Sequence, residues 1–173
     1  KENTFICYSA PCQYNLRNDI LMSMTDQLLN LIYTEKVRED EGGTYGVYPM
    51  GQLVKYPVER AVLQIFFNTA PAKQEKLMKI IYAEADAFAK NGPDEASLNK
   101  VKEYMPKKHN EDLKENGYWL NSIDEYLYTG IDPVKDYEQI VNSITAKDVR
   151  QFANELLKQQ NQITVSMISP EKK

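Results

Sequence analysis

Histidine is almost missing from this chain of 173 residues; the one present is His109. Without a second histidine, neither an H-E-x-x-H nor an H-x-x-E-H pattern can be written, so the chain cannot build the usual zinc hydrolase centre by itself. Cysteine is scarce as well, at two residues, Cys7 and Cys12. Four residues separate them and no further Cys or His pair lies near in sequence, so a structural zinc site would lack ligands. A disulfide and a pair of apolar fillers are both open for these thiols, and cysteine usage does not fix the compartment. No run approaches the ~20 apolar residues that a spanning helix needs, and the opening K-E-N-T-F-I-C-Y is not a signal peptide. A basic excess is lacking too: 21 Lys and Arg stand against 25 Asp and Glu, for a net charge of -4. No basic face is available to neutralise phosphates, which argues against nucleic acid as a partner. There is no G-x-S-x-G elbow, no phosphate-binding glycine loop and no Cys-His nucleophile pair. His109, in K-K-H-N-E, is expected to be a solvated surface residue.

What is present reads as ordinary globular patterning. The length suits one well-buried core and is short for two, so residues 1–173 are expected to form a single domain. Because the chain begins at Lys1 rather than Met, it is expected to be a piece of a longer protein. Residues 4–9 (T-F-I-C-Y-S) form a β-rich run closed by Ala10 and Pro11. From Asn15 the period becomes helical, with Leu16, Ile20, Met24, Leu28, Leu31 and Ile32 on one expected core stripe that ends near Arg38. Two β-like runs, 44–53 and 58–68, are expected to make an antiparallel hairpin packed under that helix.

A second amphipathic helix opens at Pro71, with Leu77, Ile80, Ile81, Ala85 and Phe88 as its stripe, and ends at Gly92 and Pro93. Residues 94–115 are helical in period, but Pro106 removes a donor and is expected to kink or divide them. Residues 116–128 carry Trp119, Leu120, Ile123 and Leu127 on another apolar face, with Trp119 read as a core anchor. A short helix is expected from Asp132 to about Val141. A capping box, Thr145-x-x-Asp148, then precedes Val149, Phe152, Leu156 and Leu157. The run 162–168 is a closing strand, and 170–173 a frayed tail. The order predicts an α+β two-layer domain, an antiparallel or mixed sheet with helices packed on one face.

The stretch 37–48, V-R-E-D-E-G-G-T-Y-G-V-Y, joins the charged end of the first helix to a strand. Gly42 and Gly43 can end the helix in the left-handed conformation, and Tyr45 and Val47 begin the alternation of a strand. Arg38 and Tyr45 would then flank one tight turn. An obligate cation and a phenol converging beside a helix terminus suit a peptide carbonyl or a developing oxyanion; a surface Arg with a structural Tyr is the plainer alternative. The neighbouring Glu39, Asp40 and Glu41 do not form an EF-hand loop and read as solvated.

Residues 28–47, L-L-N-L-I-Y-T-E-K-V-R-E-D-E-G-G-T-Y-G-V, closely resemble the R-E-x-x-G-G/L-x-Y region in the C-terminal half of M16 (pitrilysin or insulinase family) zinc metallopeptidases. Further matches follow in order: P-D-E-A-S-L-N-K-V-K from Pro93, K-E-N-G-Y-W-L from Lys114, I-T-A-K-D-V-R-Q-F-A from Ile144, and the last strand with Pro170. The resemblance covers essentially the whole chain, and the spacing from Arg38 to Tyr45 is its most specific part. It implies the α+β fold of an M16 peptidase or LuxS-like metallohydrolase half. It also implies a division of labour, in which an N-terminal half supplies zinc and the inverted zinc motif with its Glu general base. By that resemblance Arg38 would hydrogen-bond the backbone of a peptide substrate, and Tyr45 would bond the scissile carbonyl as its oxygen becomes charged. Gly42 and Gly43 would let the loop approach, Thr44 would join them in binding substrate, and the edge near residues 44–48 would help hold an extended substrate. The zinc would bind in the full-length protein with ligands outside this chain, and the isolated chain would be inactive. Family members whose halves serve only as assembly or structural subunits supply the alternative. The resemblance favours a bacterial periplasm or cell envelope, with the cytoplasm open.

Overall fold

Strand alternation decides which side of the sheet is covered. In the computed structural model, which describes residues 2–41, 46–158 and 161–168 with the side chains of 37–41 excepted, β1 (Glu2–Pro11) buries every second residue, Ile6 and Tyr8 among them. β3 (Arg60–Thr69) does the same with Leu63, Ile65 and Phe67. The antiparallel register sets Ile6 opposite Ile65 and Tyr8 opposite Leu63, so the two apolar rows share one face. β2 (Val47–Val54) pairs with β3, and β4 (Gln162–Met167) pairs with β1. The strand order is β2-β3-β1-β4, antiparallel throughout, with β2 and β4 as edges.

Helices cover the buried face. α1 (Leu16–Glu41) lies on β2 and also touches α2 (Pro71–Asn91), α3 (Glu95–Asp112), α5 (Tyr137–Ser143) and α6 (Ala146–Leu157). Surrounded in this way, α1 buries Leu21, Met22, Leu29 and Tyr33 in addition to Ile20, Met24 and Leu28 of the expected stripe. Leu31 of that stripe turns out to be 40 % exposed, because the buried sector follows the neighbouring elements rather than a single seam. Tyr33 is fully buried and its hydroxyl donates to the carbonyl of Ile81 at 3.4 Å, tying α1 to α2. The core is one cluster between sheet and helices, as the two-layer α+β reading anticipates. On the far face of the sheet Tyr48, Met50, Ile163, Val165 and Met167 stay exposed.

Three local expectations need correction. Pro106 does not divide its segment: α3 runs from Glu95 to Asp112 as one helix, with Pro106 inside it supplying no ladder donor. Its start is fixed by Asp94, whose carboxylate accepts from the Ser97 backbone at 2.8 Å. The short helix near Asp132 begins later, at Tyr137, because the Asp132 side chain captures the N–H groups of Val134 and Lys135 in a turn and Asp136 takes φ 63°. Trp119 is not a core anchor. It lies on α4 (Asn116–Thr129), 43 % exposed, with its indole N–H donating to the carbonyl of Leu113 at 2.8 Å.

Candidate functional site

The residues singled out by sequence cluster where α1 gives way to β2. The backbone of Arg38 belongs to the last turn of α1, but its side chain, and Gly42, Gly43, Thr44 and Tyr45 entirely, lie outside the described residues. Two contacts fix the mutual position of α1 and β2. Gly51 of β2 lies so close to α1 that a Cβ there would come within 2.4 Å of the Met22 terminal methyl. Beside it Asp26 of α1 has its carboxyl pushed up to about 6, first by burial, with the Gly51 backbone N–H pulling the other way. Its Oδ1 has no hydrogen-bond partner among the described residues.

β2 is an edge strand, which explains how it accommodates Pro49: a proline is tolerated where its missing donor faces away from the ladder. Pro49 supplies no donor and the Gly51 N–H bonds Asp26, so neither residue offers a donor along the outer side of β2, whose first residue is Val47. That end adjoins the motif in sequence. Tyr48 and Met50, on the open face of the sheet, are each more than half exposed there.

A second polar concentration was not visible in the sequence. A cleft of about 340 Å³ opens between the start of α1 and helices α3, α4 and α5. His109, expected at the surface, is buried at its floor with 8 % of its area accessible. Its ring stacks on Tyr137, centroids 4.1 Å apart and planes 12° from parallel, and the Tyr118 hydroxyl lies 3.1 Å from Nδ1. Burial draws the His109 imidazole below its usual range, against the opposing pull of Asp112 and Glu138 nearby. Asp19 has its carboxyl pushed up to about 6, by burial first and then by Glu125. Glu125 accepts from the Tyr14 hydroxyl at 2.9 Å, and burial together with that carboxylate raises the Tyr14 phenol. The signal that could have located this cleft is modest: Tyr118 and Glu125 recur at i and i+7 on the polar side of α4.

These groups do not fit a zinc centre. Among the described residues no three His, Cys, Asp or Glu side chains come together as ligands, and His109 is occupied by two tyrosines. Cys7 and Cys12 are free thiols, each raised by burial above the ordinary range, which makes them poor nucleophiles at neutral pH. Among the described residues, no helix is long and apolar enough to cross a membrane.

Comparisons place this geometry among known folds. The chain superposes on the periplasmic protease PqqL from Escherichia coli with a TM-score of 0.82 and 14 % identity, covering 96 % of this chain and 19 % of that one. A protease from Helicobacter pylori is similar at a TM-score of 0.79 and 20 % identity, over 95 % of this chain and 40 % of that one. The peptidase M16 inactive domain from Pseudomonas fluorescens gives 0.79 and 18 %, over 96 % and 41 %. At these identities the likeness establishes the fold, and the chain spans only about a fifth to two fifths of those three structures. No curated protein matches the sequence. The family model described as the peptidase M16 inactive domain matches residues 2–105, from β1 through most of α3 and across the whole Arg38 to Tyr45 motif. With more than half of its length matched by that model, the chain belongs to the peptidase M16 inactive-domain family.

Proposed function

We propose that residues 1–173 form the C-terminal, substrate-binding half of a zinc-dependent endopeptidase whose metal and general base reside in an N-terminal half. The observation that carries this reading is the position of the motif. The match to the inactive-domain family runs across Arg38 to Tyr45, and these residues join α1 to an edge strand of the sheet. An extended peptide added along that edge would bring its backbone to the α1–β2 junction. There the Arg38 guanidinium, with its planar fork of donors, would hold a substrate carbonyl. The Tyr45 phenol would donate to the scissile oxygen as its negative charge develops. Gly42, Gly43 and Thr44 would form the wall that the substrate backbone approaches. Contacts that exist mainly in the transition state raise kcat, so this half would matter to rate while holding no metal.

The structure of the PqqL protease and the other long relatives support a companion half, because the present fold accounts for a minor part of each chain. A non-catalytic assembly or structural role remains the alternative, and kinetics separate the two. In the full-length two-half protein, Tyr45→Phe removes a single hydroxyl. It is expected to lower kcat roughly 10²-fold with little change in KM. Arg38→Ala is expected to raise KM as well. Wild-type kinetics in both variants, with the N-terminal site intact, would overturn the assignment.

A further inference from the structure

α4 is amphipathic in the reverse of the usual sense. Its inward side carries Tyr118, Ser122, Glu125 and Thr129, which recur at helical spacing, and only Ser122 and Thr129 are buried. Polar contacts hold this side to the domain. Tyr118 bonds His109, Glu125 accepts from Tyr14, and the Thr129 carbonyl accepts from the Lys55 ammonium. The outward side carries Trp119, Leu120, Ile123, Tyr126 and Leu127, each between 43 % and 77 % exposed. Exposed Tyr128 lies further round the helix, beyond Asp124, and meets Tyr56 at the β2–β3 turn with their rings edge to face at 5.1 Å. A helix of this composition gains nothing from turning these side chains to water, since that forgoes the free energy of burying them.

We infer that the outward face of α4 is the seat on which the companion half of the same protein docks. This rests on the two-half reading above and adds to it the surface used. Taking ~150–250 Å² for each large side chain, the exposed fractions of these five amount to roughly 450–750 Å² of largely apolar surface. That lies at the upper end of the roughly 300–600 Å² of the largest patch on a typical monomer. It is more than half of the ~800 Å² that each partner contributes to a stable interface. The occupant follows from the relatives: this fold spans 19 % of one similar chain and 40 % of another, so further polypeptide of the same protein is the available partner. The partner surface must be apolar and shaped to accept Leu120, Ile123 and Leu127 beside the Trp119 and Tyr126 rings. It must also offer an acceptor or solvent to the Tyr126 phenol.

The test is thiol labelling in the full-length protein with Cys7 and Cys12 replaced by Ser. One variant carries Leu127→Cys on α4 and a second Val165→Cys on the open face of the sheet. A maleimide reagent is timed against a free peptide thiol, over a range of protein concentrations. At Leu127→Cys labelling is expected to be at least about 100-fold slower than the peptide at every concentration, because a core interface excludes the reagent. Slow labelling only at high concentration would assign the face to a second copy and overturn the inference. Fast labelling at Leu127→Cys with slow labelling at Val165→Cys would leave the companion half in place but seat it on the sheet, overturning the α4 assignment alone. Fast labelling at both would overturn the two-half reading together with it.

Discussion

Replacing Asp19 by Asn should stabilise the fold at neutral pH and leave it unimproved at acid pH. Asp19 lies in the first turn of α1, facing Glu125 of α4 and the phenols of Tyr14 and Tyr137 across the cleft. Its carboxyl rises from the ordinary 3.8 to about 6, and at ~1.36 kcal/mol per unit this is a penalty of roughly 3 kcal/mol on the ionised native state. Partial exposure at the mouth of the cleft screens the charge, so ~1.5–3 kcal/mol is the range expected in solution. The sign follows from proton counting. Between pH 4 and 6 the native state holds the proton that the unfolded state has released. Stability is therefore greatest below the unfolded pKa, and it declines as pH rises through the folded value. The helix dipole acts in the opposite direction, but its ~0.3–1 kcal/mol is smaller. Asn cannot ionise, so the difference between variant and wild type should grow by ~1.5–3 kcal/mol between pH 4 and pH 7.5. At ~2–4 °C per kcal/mol for a chain of this size, that is roughly 3–12 °C in Tm. Thermal or urea unfolding at both pH values measures it. Parallel curves for the two proteins across the range would refute the reasoning.

Two further outcomes are expected. Gly51→Ala should cost about 1–3 kcal/mol, since its Cβ would meet the fully buried Met22 side chain. A double-mutant cycle with Met22→Val should show a favourable coupling, and strict additivity would contradict the contact. Thr145→Ala should cost ~1 kcal/mol, because Thr145 accepts from the Asp148 N–H while Asp148 accepts from the Thr145 N–H at 2.8 Å. The Thr145 hydroxyl is the largest influence holding the Asp148 carboxyl below its ordinary range, so NMR titration of Asp148 should show that pKa rising in the variant.

Periodicity made most of the architecture legible. The alternation in β1, the Thr145 to Asp148 box and the hairpin under α1 are local patterns with one physical solution, and all appear in the fold. Antiparallel pairing follows from the short hairpin, whereas the neighbour relation of β1 and β4 rests on contacts distant in sequence. α4 shows where pattern reading stops. Helical spacing reveals that Trp119, Leu120, Ile123 and Leu127 share a side; whether that side meets its own core or another surface depends on packing that spacing does not encode. His109 was misplaced for a related reason. Its polar sequence neighbours Lys107, Lys108 and Asn110 are exposed, while the imidazole turns in toward Tyr137. Of the motif, the sequence identified Arg38 and Tyr45 through family resemblance, while the described geometry reaches only the elements on either side.

The strand order has a consequence for synthesis. β1 lies inside the sheet, flanked by β3 and β4, yet it is translated before both. At ~5–20 residues per second, β3 follows β1 by roughly 3–10 seconds and β4 by roughly 8–30 seconds. Throughout that interval a ten-residue strand carrying Phe5, Ile6 and Tyr8 has both hydrogen-bonding edges open on the ribosome. Even after β3 arrives, one side stays unpaired until β4 is made. The vulnerable moment of this domain's life is therefore its translation, when the segment that later anchors its core is the one most able to pair with a neighbouring nascent chain.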